Sequence, residues 1–295
     1  MPAMATNETA ARAVVITGAS TGIGRACALH LDGLGFRVFA GVRKEADGEA
    51  LRREASDRLT PLRLDVTDTA AIAAAVATVA EAVGPVGLAG LVNNAGIGVA
   101  GPLEVLPIAD LRRQFEVNVI GQVAVTQAFL PLLRRAGGRI VNVGSSGGRV
   151  TKPFIGAYCA SKFALEALTG SLRLELWPWT IRVVMIEPGP VATPIWGKSM
   201  AATEALIERL PQAARDLYMS VVAAARAVLE ARGTAVGMPA ETVARAVARA
   251  LTARRPKRRY LVGRIARFQA ACVWLLPACA IEWLIRRKLR VPKRA

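Results

Sequence analysis

Residues 12–24 read RAVVITGASTGIG, and this stretch decides the fold. Its first half is a short apolar run, typical of a buried parallel strand. A turn containing Gly18, Gly22 and Gly24 follows at once, and a helical pattern begins at Arg25. Glycines allow a tight turn and a close approach of the backbone to a pyrophosphate, whose charge the N-terminus of the helix stabilises. The stretch therefore predicts a dinucleotide site built from strand, turn and helix.

The same alternation of apolar runs and helical patterns continues along the chain. Right-handed crossovers would bring the loops after the strands to one edge of a sheet, where ligands bind. The pattern predicts an α/β fold, a single doubly wound Rossmann-like domain with a parallel sheet of about seven strands flanked by helices. The further strands are expected at residues 36–42, 59–64, 88–92, 138–143, 181–186 and, at the sheet edge, 258–263. Helices are expected at residues 70–83, 107–135 with a break or bend near Pro131, 156–177 and 240–253.

The domain organisation follows from where this alternation starts and stops. We expect a disordered N-terminus at residues 1–11 and a Rossmann-like domain at residues 12–263, with a substrate lid at residues 194–235. Residues 264–295 form a basic amphipathic tail. The polar N-terminus lacks the apolar run of a signal peptide, and the four cysteines contain no CxxC pair. Both features predict a reduced, cytoplasmic protein.

The positive charge of the chain is concentrated near its C-terminus. Residues 254–295 hold thirteen of the 39 Lys and Arg residues but one of the 22 acids, so they carry +12 of the formal net charge of +17. Because aromatic residues make up only 5% of the chain, this charge does not indicate a nucleic-acid partner. The single histidine, His30, argues against a Ser-His-Asp hydrolase and against a metal site.

The tail contains an apolar segment, residues 268–285, interrupted by Pro277 and Glu282. A membrane-spanning helix needs about 20 apolar residues with few charges, so a span is a weak interpretation. Trp274 and Trp283, with basic clusters on both flanks, favour peripheral contact with the inner, anionic face of a membrane. Two alternatives remain open: the segment folds over the substrate cleft, or it packs against another subunit.

A second group of residues has side chains suited to proton transfer. Ser145, Tyr158 and Lys162 supply a hydroxyl, a phenol and an ammonium within eighteen positions. In a helix, Tyr158 and Lys162 share one face because they are four residues apart. An ammonium near a phenol lowers the pKa of the phenol from about 10 toward neutrality. Such a tyrosine can pass a proton at physiological pH.

The end of the second predicted strand bears on cofactor choice. An acid at this point binds the adenosine ribose hydroxyls, whereas a basic residue accommodates a 2′-phosphate. Here Arg43 follows the strand, and the first acid is Glu45. The sequence therefore predicts NADP(H), with NAD(H) as the alternative.

Taken together, these segments resemble the short-chain dehydrogenase/reductase family. Residues 17–24 match its cofactor loop, residues 93–96 its sheet-supporting motif and residues 188–193 its nicotinamide loop. Asn118, Ser145, Tyr158 and Lys162 match its four catalytic residues. The resemblance covers residues 12–193 with the motifs in order.

The resemblance implies a role for each matching residue. Tyr158 would be the general acid/base, and Lys162 would lower its pKa and bind the nicotinamide ribose. Ser145 would hydrogen-bond the substrate oxygen, and Asn118 would hold a water that links Lys162 to solvent. Asp65 would bind the adenine amine, Asn94 and Ala95 would line the cofactor channel, and Thr193 would bind the carboxamide. The full set of implied cofactor residues is Gly18, Ser20, Thr21, Gly22, Ile23, Gly24, Arg43, Asp65, Val66, Asn94, Ala95, Gly96, Tyr158, Lys162, Pro188, Gly189, Val191 and Thr193.

Residues 38–43, 56–59, 158–162 and 186–189 resemble the hydroxysteroid and retinol dehydrogenase branch of that family. This implies an NADP(H)-dependent oxidoreductase acting on a bulky apolar secondary alcohol or ketone, and we expect a homo-oligomer, a dimer or a tetramer. A 3-oxoacyl-thioester reductase and a non-catalytic dinucleotide-binding sensor or scaffold are the alternatives. A non-catalytic relative would be expected to have lost the tyrosine or the lysine, so their presence favours the enzyme.

Overall fold

A computed structural model describes residues 12–195, 197, 212, 215, 218 and 237–289. The predicted disorder of residues 1–11 and most of the predicted lid lie outside these residues. Within the described part, seven strands form one parallel sheet in the order β3-β2-β1-β4-β5-β6-β7. This order confirms the predicted doubly wound fold, with β7 at one edge. The strands are β1 (Ala13–Ile16), β2 (Arg37–Val42), β3 (Leu59–Arg63), β4 (Gly90–Asn93), β5 (Arg139–Val143), β6 (Arg182–Pro188) and β7 (Arg259–Val262).

Helices cover both faces of the sheet. One face packs against α1 and α7, and the other packs against α3 and α5. All four residues of β1 are buried, as its apolar sequence predicts. The helices are α1 (Gly22–Gly33), α2 (Glu45–Glu54), α3 (Thr69–Val83), α4 (Ile108–Phe115), α5 (Gly121–Ala136), α6 (Gly156–Glu175), α7 (Ala240–Thr252), α8 (Arg264–Leu275) and α9 (Ala278–Leu289).

The predicted break near Pro131 is wrong, and the alternative, a bend at this point, stays a prediction. Helix α5 continues through Pro131, which lies on its exposed face, where water can bond the carbonyl that loses its N–H partner. The helical region is instead irregular at Glu116–Ile120, a single π turn between α4 and α5. Such turns are frequent at functional sites, and this one contains Asn118.

Among the described residues, two helical stretches are long and apolar enough to cross a membrane by length and composition alone, Thr69–Val86 and Ile108–Ala136. Both contribute buried side chains to the core against the sheet, among them Val79 and Phe129. Only 17% of the first stretch is buried inside the protein, so packing against the sheet accounts for only part of its apolar character.

The apolar segment of the tail forms two short helices rather than one long one. Helices α8 and α9 contain 12 residues each and are separated at Leu276 and Pro277. At about 1.5 Å per residue each spans roughly 18 Å, well short of the roughly 30 Å hydrocarbon core of a bilayer. Over its described residues, neither helix is long enough to cross a membrane alone.

Candidate active site

The predicted phosphate loop joins β1 to α1 at the carboxyl edge of the sheet. Gly18 has a φ of +65°, and a Cβ built there would lie 2.8 Å from the Cα of Ala95. A Cβ on Gly24 would overlap the carbonyl oxygen of Gly18. A Cβ on Gly22 would lie 3.0 Å from Cγ2 of Thr193, so the predicted phosphate loop and the predicted nicotinamide loop lie side by side. At Gly18 and Gly24 only a glycine fits without a backbone shift, and at Gly22 the φ of +57° favours one.

Asn94 fastens the loop to the end of β4. Its Nδ2 donates to the carbonyl oxygens of Thr17 and Gly18, at 3.0 Å each. The Oγ1 of Thr17 in turn accepts the backbone N–H groups of Asn94 and Ala95, at 2.9 Å each. Thr17 was part of the matched motif but had no predicted role. It fixes the separation between the glycine loop and the β4 end.

A cavity of about 380 Å³ opens beside this loop at the predicted adenosine end. The carboxylate of Asp65 accepts hydrogen bonds from the backbone N–H and the hydroxyl of Thr67, at 3.0 and 2.8 Å. Burial raises the pKa of Asp65, but the Thr67 hydrogen bonds and the nearby Arg43 outweigh it and hold that pKa below its ordinary value. An ionised carboxylate is thus available as an acceptor. The predicted residues in the lining are Arg43, Asp65, Val66, Ala95 and Gly96.

Arg112 and Arg113 on α4 line the same cavity, and sequence reasoning missed them. The sequence of α4 does not show which part of the protein its arginines face, so it does not predict that they line the cavity. The cavity lining therefore combines three arginines, including Arg43, with two acids, Asp65 and Glu116. This charge pattern suits a ligand that has both anionic groups and an amine.

Three predicted catalytic side chains meet where β5 and α6 approach each other. Ser145 follows β5, and its Oγ accepts the backbone N–H of Gly147 at 3.0 Å. Tyr158, in the first turn of α6, is buried and hydrogen-bonded to the Ser145 side chain. Lys162 lies one turn further on, with its Nζ 5.8 Å from the centre of the Tyr158 ring. The sequence-predicted hydroxyl, phenol and amine form one cluster.

The predicted effect of Lys162 on the phenol is wrong for the protein as described. Burial raises the pKa of Tyr158 to about 12, although the hydrogen bond with Ser145 opposes the rise. Burial also lowers the pKa of Lys162 to about 8. The Nζ of Lys162 donates a hydrogen bond to the carbonyl oxygen of Val143 at 2.9 Å. Desolvation therefore dominates both groups, and Tyr158 carries its proton at neutral pH.

Asn118 is fully buried and holds the segment that follows β4. Its Oδ1 accepts the N–H of Ile97 at 2.8 Å, and its Nδ2 donates to the Ile97 carbonyl at 3.0 Å and to Ser161 Oγ at 3.2 Å. The described contacts of Asn118 thus tie this segment to α6. The predicted link through a water to Lys162 stays a prediction.

Gln114 and Ser161 support the same segment and were not predicted. Gln114 is fully buried; its Oε1 accepts the N–H of Val99 at 2.6 Å, and its Nε2 donates to the Ile97 carbonyl at 2.9 Å. Ser161 Oγ donates to the carbonyl of Tyr158 at 2.7 Å. The four-residue spacing from Gln114 to Asn118 was a usable signal, because it places both amides on one helix face.

The predicted nicotinamide loop begins where β6 ends at Pro188. Gly189 donates its N–H to the Val262 carbonyl at 3.0 Å, and Val191 forms a parallel bridge with Met238. Thr193 then returns to Gly22. The remaining predicted cofactor residues, Ser20, Thr21 and Ile23, lie in the turn before α1 and in its first turn.

The residues at this edge fit a dinucleotide. The glycine loop leaves a cradle that a Cβ would fill, and the fully described helix α1 has no acid in its first turn to repel a pyrophosphate. Along this edge of the sheet, Asp65 and Arg43 lie beyond the ends of β3 and β2 on one side of the glycine loop. The Ser145–Tyr158 pair lies beyond the end of β5 on the other side. Such a site defines a nucleotide-dependent oxidoreductase.

Comparison with known proteins supports this assignment to the oxidoreductases. The sequence profile described as short chain dehydrogenase matches residues 12–204. The chain belongs to the short chain dehydrogenase family and is an NAD(P)-dependent oxidoreductase acting on alcohol and carbonyl groups.

Individual relatives extend over nearly the whole chain. The chain is 35% identical over 284 residues to the NADPH-dependent 3-dehydrocapnine reductase of Ornithobacterium rhinotracheale, covering 95% of this chain and 98% of the relative. It is 38% identical over 291 residues to retinol dehydrogenase 5 of Homo sapiens, covering 96% and 90%. A short chain dehydrogenase of Burkholderia cenocepacia J2315, solved in complex with NADP, superimposes with a TM-score of 0.70 at 26% identity, covering 96% and 98%. These likenesses confirm the predicted hydroxysteroid and retinol dehydrogenase branch.

Proposed function

We propose that this enzyme is NADP(H)-dependent and transfers hydride between the nicotinamide and a bulky, apolar secondary alcohol or ketone, resembling a steroid or a retinoid. The observation that carries the proposal is the hydrogen-bonded pair formed by the half-buried Ser145 and the buried Tyr158. The named activities of the relatives, an NADPH-dependent reductase and a retinol dehydrogenase, support the cofactor and the substrate class.

The geometry supports a division of labour among the side chains. A bound nicotinamide would supply or accept the hydride. Ser145 and Tyr158 would both hydrogen-bond the substrate oxygen, and in the reductive direction the protonated phenol of Tyr158 would donate its proton. Lys162 would hold the nicotinamide ribose, and its amine, with a pKa of about 8, would exchange protons near neutral pH. Asn118 would keep the segment at Ile97 in place beside them.

The cofactor end would be bound by the residues already placed at this edge. The glycine loop and the α1 N-terminus would bind the pyrophosphate. Asp65 would accept from the adenine amine, and Arg43 would bind a 2′-phosphate. Thr193, beside Gly22, would hold the carboxamide.

Replacing Tyr158 by Phe tests the proposal. The variant keeps the packing of the ring but lacks the proton, so we expect NADPH binding to be retained and kcat to fall by roughly 10²–10⁴-fold. The measurement is NADPH consumption against steroid, retinoid and acyl ketones, with NADH in parallel and binding followed by fluorescence. Turnover close to that of the unmodified enzyme would refute the acid/base role.

The same screen separates the alternatives. Preference for 3-oxoacyl thioesters over steroid and retinoid ketones would indicate an acyl reductase. Tight NADPH binding without turnover of any carbonyl would indicate a sensor or scaffold.

We also propose that the protein is cytoplasmic and that α8 and α9 bind the surface of an anionic bilayer, at the inner face of a membrane. Trp274 is 85% exposed and Trp283 is 53% exposed. Residues 254–295 carry a formal charge of +12, complementary to anionic headgroups. Tryptophans beside basic residues are typical of interfacial segments. The homo-oligomer, a dimer or a tetramer, stays a prediction that light scattering can test.

A further inference from the structure

A buried carboxylate lies just behind the active site. Glu187, near the end of β6, is 2% exposed and accepts hydrogen bonds from two arginines. Arg149 donates to Oε2 at 2.5 Å, and Arg259 donates to Oε1. Pairing both of its oxygens with cations offsets the cost of burying a carboxylate to this extent.

Each partner of Glu187 belongs to a different part of the site. Arg149 closes the short turn that starts at Ser145, because its N–H donates to the carbonyl of Ser146. Arg259 also pairs with Glu166 on α6, one turn beyond Lys162. Glu187 itself lies two residues before Gly189 of the predicted nicotinamide loop.

The ion pairs therefore run from the serine turn through Glu187 and Arg259 to the tyrosine helix. We propose that Glu187 is a positioning residue that holds the Ser145 turn, the Tyr158 helix and the Gly189 loop at fixed separations. Ser145 and Tyr158 must reach the same substrate oxygen, and a misplacement of about 1 Å between catalytic groups costs on the order of 100-fold in rate. The inference rests on the proposed function, since it concerns the rate of that reaction.

A purely structural role for the network would stabilise the domain without setting the rate. The two roles differ in kcat measured on folded protein, well below the unfolding temperature. Glu187→Gln keeps the shape and removes the charge. We expect kcat to fall roughly 10- to 100-fold, while KM for NADPH and its binding constant change less than about threefold.

Asp32→Asn is the matched control. Asp32 is also a buried carboxylate, 5% exposed, and its oxygens accept from the N–H and the hydroxyl of Ser56 at 2.9 and 2.6 Å, away from the site. We expect this variant to lose stability but to keep the kcat of the unmodified enzyme. Equal kcat values for folded Glu187→Gln and the unmodified enzyme would overturn the inference.

Arg149→Met keeps the test decisive if Glu187→Gln does not fold, because Arg149 lies at the partly exposed end of the network. It should also lower kcat at nearly unchanged NADPH affinity, and an unchanged kcat would again overturn the inference. If Glu187→Gln folds, the double variant Glu187→Gln/Arg149→Met should show a smaller fold reduction in kcat than the product of the two single reductions. Both substitutions disrupt the same ion-pair network, so their effects overlap. If the unmodified enzyme turns over no ketone with NADPH, the proposed function fails; if it does and these variants match it, only the positioning role fails.

Discussion

The catalytic edge and the C-terminal helices contrast in how their side chains are held. At the catalytic edge, Tyr158, Lys162 and Asn118 are buried, and each is bonded to a neighbouring element. In α8 and α9, Trp274 and Trp283 project from the surface. Among the described side chains of α8 and α9, Ala266 is the one fully buried residue, and it lies beside Gly189.

This contrast separates two ways in which sequence acts. At the catalytic edge, the fold fixes each group, so a substitution changes reaction rate, cofactor choice or stability. In α8 and α9, the exposed side chains determine what the surface can bind, so we expect a substitution there to change membrane binding rather than the reaction rate. Three experiments can break or sharpen the distinction.

The largest effect is expected for Lys162→Met. We expect kcat to fall by roughly 10²–10⁴-fold, because the buried amine beside Tyr158 is lost. The free energy of unfolding at neutral pH, in contrast, should increase. Folding lowers the pKa of Lys162 from 10.5 to about 8, so the unfolded chain holds this proton more tightly, and burial costs stability below pH 8.

That cost disappears as pH rises from about 8 to 10.5. At pH 7 the variant should therefore be more stable than the unmodified protein by up to about 3 kcal/mol, less the lost hydrogen bond to Val143. At pH 10 the difference should shrink. Urea unfolding of both proteins at the two pH values measures it, and the same difference at both would show that the lysine is not buried as described.

An intermediate effect is expected for Arg43→Ala. Loss of a guanidinium bound to a 2′-phosphate removes about 2 kcal/mol, which raises KM for NADPH roughly 30-fold and leaves KM for NADH almost unchanged. The same assay on Arg112→Ala and Arg113→Ala shows which arginine of the cavity reads the phosphate. Equal losses with both cofactors would show that Arg43 does not discriminate between them.

The smallest effect on catalysis is expected in the C-terminal helices. Trp274→Ser and Trp283→Ser should each weaken binding to phosphatidylserine vesicles roughly tenfold and leave kcat on a water-soluble ketone unchanged. Trp177→Ser is the matched control, since Trp177 is 77% exposed in the turn after α6. Equal vesicle binding by all three variants would refute the membrane contact, and a fall in kcat would place these helices with the catalytic edge.

Local patterns were sufficient for the predicted fold. The apolar runs, the glycine loop and the spacing of Tyr158 and Lys162 depend on neighbours in sequence, so periodicity reveals them. The predicted strands agree with the sheet within one or two residues at each end. The break expected at Pro131 was wrong because exposure of one helix face, which is set by packing, decides whether a proline is tolerated.

Contacts between residues far apart in the chain could not be predicted from the sequence. Gln114 holds Ile97, Thr17 holds Asn94, and Glu187 pairs with Arg149, each across an interval that only the packed sheet closes. The pKa values changed for the same reason. Sequence spacing indicated an ammonium beside a phenol, but the depth at which both groups lie made desolvation larger than their attraction.

The sequence by itself determined the parallel α/β fold, the glycine cradle and the residues available for chemistry, because these depend on local periodicity and residue type. The tertiary structure decided which groups carry protons, which arginines face the adenosine cavity and what holds Ser145 beside Tyr158. Those properties depend on burial and on distances between segments far apart in the chain, which arise only when the sheet is assembled.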